Sequence, residues 1–88
     1  MNTLLHGMLL DSLQTGLLVQ VSRITNVTVS TTSALAGTLT LGGNGDPFTT
    51  SAGLNGVEET GIDLFGPVYF SLSDALDLGK ATVSWKPV

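Results

Sequence analysis

The strongest constraint on this chain is an alternation of apolar and polar residues with a period of two. Val19 and Val21 fall on one face, with Gln20 and Ser22 on the other. Val27 and Val29 alternate with Thr28 and Ser30, and Leu39 and Leu41 with Thr38 and Thr40. Ile62 and Leu64 bracket Asp63. Val68, Phe70 and Leu72 alternate with Tyr69 and Ser71, and Ala81, Val83 and Trp85 with Thr82, Ser84 and Lys86. Successive side chains of a strand point to opposite faces, so this pattern predicts short strands with one buried face. The β-branched and aromatic residues that fill the positions suit that role.

Turn chemistry separates the segments. Gly42-Gly43-Asn44-Gly45-Asp46-Pro47 joins residues that tolerate positive φ to a proline that cannot continue a ladder. Asn55-Gly56 is a pair of the tight-hairpin type, and Gly66-Pro67 predicts a break before the strand at Val68–Leu72. Ser73–Gly79 reads as a loop or one helical turn, with Ser73 as its cap and Gly79 at its end.

Residues 2–18 admit two readings. Leu4, Leu5, Met8, Leu9 and Leu13 share one helical face, although Gly7 in the middle costs roughly 1 kcal/mol against Ala. The rival is a hairpin with strands at 4–10 and 17–24 and a turn over Asp11–Gly16. Asp11-Ser12 and Thr15-Gly16 supply turn residues and favour the hairpin. The expected fold is therefore all-β, a small antiparallel sandwich or barrel with an apolar N-terminal hairpin or arm. Residues 1–88 form one domain, with 1–16 as the arm and 17–88 as the β-core.

Composition narrows the function classes. Only 11% of residues are charged, against about 25% in ordinary soluble domains. The net charge is −4, and Arg23, Lys80 and Lys86 are the only Lys or Arg residues. A nucleic-acid partner needs a cationic surface, so none is expected. The uncharged stretch Ile24–Gly45 is broken by Asn26, Ser30, Ser33, Gly37 and several Thr residues. It lacks the run of about 20 apolar residues that a bilayer requires, so no membrane partner is expected. No Lys or Arg precedes the apolar N-terminal stretch, and Gly7 and Asp11 interrupt it, so it reads as structure rather than a targeting signal. The absence of Cys removes disulfides, thiolate metal sites and thiol nucleophiles together.

The remaining groups that could carry chemistry have simpler roles. Gly42–Asp46 resembles the calcium turn of nonapeptide β-rolls, but it occurs once where an array is needed and reads as a plain turn. Glu58, Glu59 and Asp63 could offer oxygen ligands, yet Glu58 and Glu59 face opposite ways on an extended chain. Asp74 and Asp77 could meet on one helical turn. His6 is the single imidazole, and no nucleophile motif surrounds any Ser. Asn26-Val27-Thr28 matches a glycosylation acceptor and reads as strand sequence. Trp85 shares a face with Val83 and is expected in the core, whereas Tyr69 faces opposite Val68 and Phe70 and is expected at the surface. No metal, cofactor or catalytic constellation is expected.

Two resemblances follow from these residues. Asp63-Leu64, Phe70, Leu72, Gly79 and Val83-Ser84-Trp85 resemble the C-terminal third of expansin and barwin-like double-psi β-barrels. The resemblance implies a carbohydrate-binding or wall-active barrel, with Asp63 carrying the family's catalytic acid. Phe65-Gly66 stands where that family has Ser, and the family's Cys pairs have no counterpart. The whole chain, short, Cys-free, thin in charge and rich in Thr, Ser and Gly, resembles small structural proteins of tailed bacteriophage particles, of the decoration, cement or fibre-associated kind. That resemblance implies a non-enzymatic virion subunit whose partners are copies of itself and other virion or shell proteins. A domain of this size buries only about 60–65% of its unfolded surface and gains stability by packing against neighbours. Leu4, Leu5, Met8, Leu9, Leu10 and Tyr69 are the expected interface residues.

Overall fold

The structure is a computed structural model that describes residues 6–20 and 23–87. Val21, Leu4 and Leu5 lie outside the described residues. Seven strands form one antiparallel sheet: β1 (His6–Leu9), β2 (Thr15–Val19), β3 (Arg23–Thr31), β4 (Leu39–Asn44), β5 (Phe48–Thr49), β6 (Val57–Leu72) and β7 (Ala81–Pro87). The strand order is β1-β7-β3-β6-β4-β5, and β2 also pairs with β6. The fold is all-β, as the alternation predicts.

β6 organises the molecule. It runs for 16 residues, and its even-numbered side chains turn inward while its odd-numbered ones face solvent along the whole length. A straight strand of that length would span about 50 Å at about 3.3 Å per residue. The longest dimension of the protein is 36 Å, so the strand must curve. β3 pairs with the first half of β6, from Val57 to Phe65. β2 takes over the same edge from Val68 to Ser71, and β4 occupies the opposite edge from Phe65 to Leu72. One strand thus belongs to two halves of a folded-over sheet. The inward faces enclose a single core built from Ile24, Val27, Val29, Leu39, Leu41, Leu64, Val68, Phe70, Leu72, Val83 and Trp85, among others.

Gly66-Pro67 does not break this strand. A proline has no N–H to give and is confined to edges and irregular points of a sheet. Pro67 sits in the gap where the β3 partner ends at Phe65 and the β2 partner begins at Val68. On its other side β4 shifts register between Gly42 and Asn44. No ladder on either side pairs with Pro67. The Gly66–Pro67 peptide bond is cis.

The N-terminal strands form close to where the hairpin reading places them, but they do not pair with each other. β1 pairs with β7, His6 opposite Trp85 and Leu9 opposite Thr82. β2 pairs with β6, Thr15 opposite Ser71 and Leu17 opposite Tyr69. The arm is therefore built into the sheet. Leu10 follows β1 into the core, fixed by Leu10 N–H to the Ala81 carbonyl and by Gly79 N–H to the Leu10 carbonyl, at 2.9 and 2.7 Å.

The turns differ in detail from their sequence reading. β4 continues through Gly42, Gly43 and Asn44, so the reversal is confined to Gly45-Asp46-Pro47, with Gly45 at φ +131°. Gly56, at φ +126°, is not the tip of a two-residue hairpin. It docks on Thr31, whose N–H donates to its carbonyl at 2.8 Å and whose Oγ1 accepts from its N–H at 2.7 Å. Ala75–Asp77 forms one 3₁₀ turn, and Asp74, not Ser73, caps it by accepting from Leu76 N–H at 2.9 Å.

Candidate functional site

The surface of the described residues carries an apolar region, a charged cluster and a polar depression. The apolar region follows from odd-numbered parity on β6. Phe65, Pro67 and Tyr69 all project outward, and Leu17 stands directly across from Tyr69 on β2. On the other side of Tyr69 lies Gly42, which has no side chain to cover the ring. Tyr69 is 54% exposed, and Phe65 and Leu17 are exposed as well. Met8, Leu9 and Leu13 extend the exposed apolar set toward the N-terminus. With Leu10, Leu17 and Phe70 they line a cleft of about 100 Å³.

Of the expected interface residues, Met8, Leu9 and Tyr69 are exposed. Leu10 is not available to a partner, because at 1% exposure it is part of the core. Its main chain is bonded to Ala81 and Gly79 at the start of β7, which holds the side chain in the core. Leu4 and Leu5 lie outside the described residues. Leu17, Leu13 and Phe65 are exposed apolar residues outside the set expected at an interface. The outward parity of Phe65 relative to Leu64 is the signal that could have found it.

The charged cluster joins Arg23, Asp63 and Phe65. Arg23 Nη2 donates to Asp63 Oδ2 at 2.5 Å, with both side chains nearly half exposed. The guanidinium carbon lies 5.3 Å from the centre of the Phe65 ring, within cation–π range. The Arg23 hydrogen bond holds the Asp63 carboxyl below its ordinary value, against an opposing effect of desolvation. The same bond raises Arg23. A catalytic acid needs the reverse, a carboxyl kept protonated near neutrality. Asp63 at this position is the ion-pair partner of Arg23. Tyr69 shares the outer face of β6 with Asp63 but stands six residues farther along it, and Trp85 is buried.

The other acidic residues separate. Glu58 turns inward and accepts from Ser51 N–H at 3.2 Å, while Glu59 faces out. Asp74 serves as the cap and Asp77 turns fully into the protein. Among the described residues no group of three or more His, Asp or Glu is placed to hold a metal ion.

Asp77 is a buried acid that sequence reading did not anticipate as such. Its Oδ1 accepts from Ala36 N–H at 2.6 Å and its Oδ2 from Gly37 N–H at 3.0 Å. Lys80 Nζ lies 3.5 Å from Oδ1 and also donates to the Ala34 carbonyl at 3.2 Å. The next N–H, of Thr38, donates to Ser73 Oγ at 2.8 Å. Burial pushes the Asp77 carboxyl up, but the two backbone donors and Lys80 pull it down further, so it stays below its ordinary value. Three consecutive N–H groups of the loop are thereby tied to Ser73–Asp77. This cluster is a structural clasp, with every polar group occupied.

The polar depression lies on the outer face of β3, β6 and β7, beside Asn26 and Lys86, and encloses about 530 Å³. No family model matches this chain, and no curated protein matches it. Among the described residues no helix is long and apolar enough to cross a membrane.

Proposed function

We propose that the chain is a non-enzymatic structural subunit that assembles with copies of itself, on a virus particle of the kind its composition resembles. The observation that carries the reading is the row Leu17–Tyr69 with Phe65 and Pro67 beside it, exposed on one sheet face, with Met8, Leu9 and Leu13 as further exposed apolar side chains. Apolar and aromatic side chains grouped in this way are the composition of an interface centre, and charged side chains are sparse there. Arg23 and Asp63 form a paired polar rim at one end. A single patch used by both partners generates a symmetric contact, the commonest closed arrangement among homo-oligomers.

Size-exclusion chromatography with light scattering tests the proposal. The wild-type chain is expected to run above its monomer mass of 9.1 kDa at micromolar concentration. Leu17→Lys and Tyr69→Lys are expected to return it toward the monomer. A wild-type chain that remains a stable soluble monomer overturns the assembly reading. Electron microscopy of particles carrying the protein then tests its place on a shell.

A further inference from the structure

We propose that the depression around Asn26 is a binding site for a neutral polyhydroxylated ligand, a sugar unit of a glycan. The first support is backbone geometry. β3 loses register with both neighbours at the same level: its pairing with β6 shifts between Thr25 and Val27, and its pairing with β7 shifts between Thr25 and Thr28. Asn26 has no register partner on either side, and on β6 neither Gly61 nor Ile62 has one in β3. Asn26 also adopts φ +50°, the one positive value at a described residue other than glycine. Irregularities of this kind in a sheet re-aim side chains and end local pairing, and they gather at functional sites. A central strand is thus interrupted at one level on both edges, and on β6 the Ile62 N–H turns to Thr60 Oγ1 at 3.2 Å instead of to β3.

The second support is the chemistry of the lining. Asn26 brings an amide, Thr28 a hydroxyl, Glu59 a carboxylate and Lys86 an ammonium, while Thr60, turned inward, uses its Oγ1 to accept from Ile62 N–H. Gly61 lacks a side chain, and a Cβ built there meets nothing within 4 Å, so the floor is open. Among the described residues Arg23 is paired with Asp63 and Lys80 with Asp77, and Lys86 is the basic side chain with no ion-pair partner. An anionic ligand would gain Lys86 but meet Glu59 in a protein of net charge −4. A cationic ligand would gain Glu59 and meet Lys86. Hydroxyl groups donate to a carboxylate and accept from an ammonium, so a neutral polyol satisfies both at once, with the Asn26 amide and the Thr28 hydroxyl filling the remaining positions. The volume falls within the roughly 300–1,000 Å³ usual for small-molecule sites. None of these residues belongs to the apolar face assigned to assembly, so the two proposals stand separately.

The test is a titration of the full chain, labelled with nitrogen-15, with the neutral trisaccharides cellotriose, maltotriose and triacetylchitotriose, followed by amide shifts. Inorganic phosphate and putrescine serve as anionic and cationic probes. At least one trisaccharide is expected to move the amides of Asn26, Thr28, Glu59 and Gly61 in a saturable way with Kd near about 1 mM. Glu59→Gln and Lys86→Met should each weaken that binding by about tenfold. Gly61→Leu should fill the floor and abolish it, with the melting temperature reporting that the fold persists. Leu17→Lys should leave it unchanged even where the oligomer is lost. Shifts confined to other residues, no saturable shift with any trisaccharide, or saturation by phosphate or putrescine alone would each overturn the proposal.

Discussion

Removing the Asp77 carboxylate should unfold this protein more readily than any change on its surface. Asp77→Ala strips the partners from Ala36 N–H and Gly37 N–H and leaves Lys80 without its carboxylate. A buried backbone donor left without a partner costs about 1–3 kcal/mol, and these two bonds are part-buried with a charged, fully buried acceptor. Lys80 is only partly buried and retains the Ala34 carbonyl, so its loss adds little. Two such donors together give a loss of about 2–5 kcal/mol. A domain of this length has a total stability of about 4–13 kcal/mol, so the loss is a large share of it. Tm should fall by roughly 15 °C or more. Trp85 is the single tryptophan and is buried, so its fluorescence in a urea titration follows the transition directly. The midpoint should drop with little change of slope. A loss below about 1 kcal/mol would refute the clasp argument, because it would mean that water satisfies both loop donors at no cost.

Further outcomes follow from the same structure. Because the folded Asp77 carboxyl lies below its ordinary value of 3.8, its contribution is present above that pH and is lost as pH falls through the lower folded value. The stability gap between wild type and Asp77→Asn should therefore narrow in acid, measured by urea titrations across pH, and a constant gap would refute the assignment. Gly42 and Gly43 should behave oppositely. A Cβ at Gly43 would stand 2.7 Å from the Phe65 carbonyl oxygen, whereas one at Gly42 meets nothing. Gly43→Ala should cost about 1–3 kcal/mol in thermal unfolding, with Gly42→Ala near neutral. Leu10→Ala should cost about 2–5 kcal/mol as a core cavity, while Leu13→Ala, at an exposed position, should leave unfolding nearly unchanged. Asp63→Asn should leave the urea midpoint close to wild type, because its ion pair with Arg23 is solvent-screened.

The resemblance to virion proteins concerns composition, and the exposed apolar row supplies a physical counterpart to it. The resemblance to wall-active barrels concerns a C-terminal pattern whose positions have structural duties here. Leu64, Phe70, Leu72, Val83 and Trp85 are core, and Asp63 is bound to Arg23. The sugar site inferred at Asn26 draws on none of these residues.

Sequence by itself determined which side of each strand faces inward. Side-chain direction alternates with the backbone pleat, a local property, so Val27, Leu41, Val68, Val83 and Trp85 could be assigned to the core and Tyr69 to the surface. It also determined that charge would be scarce and that thiol chemistry was absent. Pairing is a property of residues far apart in the chain, and only tertiary structure decided it. Parity alone could not say that β1 joins β7 and β2 joins β6, or that Gly66-Pro67 lies where no ladder needs an N–H. Nor could it place Asp77. An aspartate in a polar turn reads as solvated, and it becomes buried only because the loop at Ala36 and Gly37 arrives with two N–H groups aimed at it. The alternation of apolar and polar residues thus defines faces, while the long-range register decides which of those faces meet each other and which stay exposed.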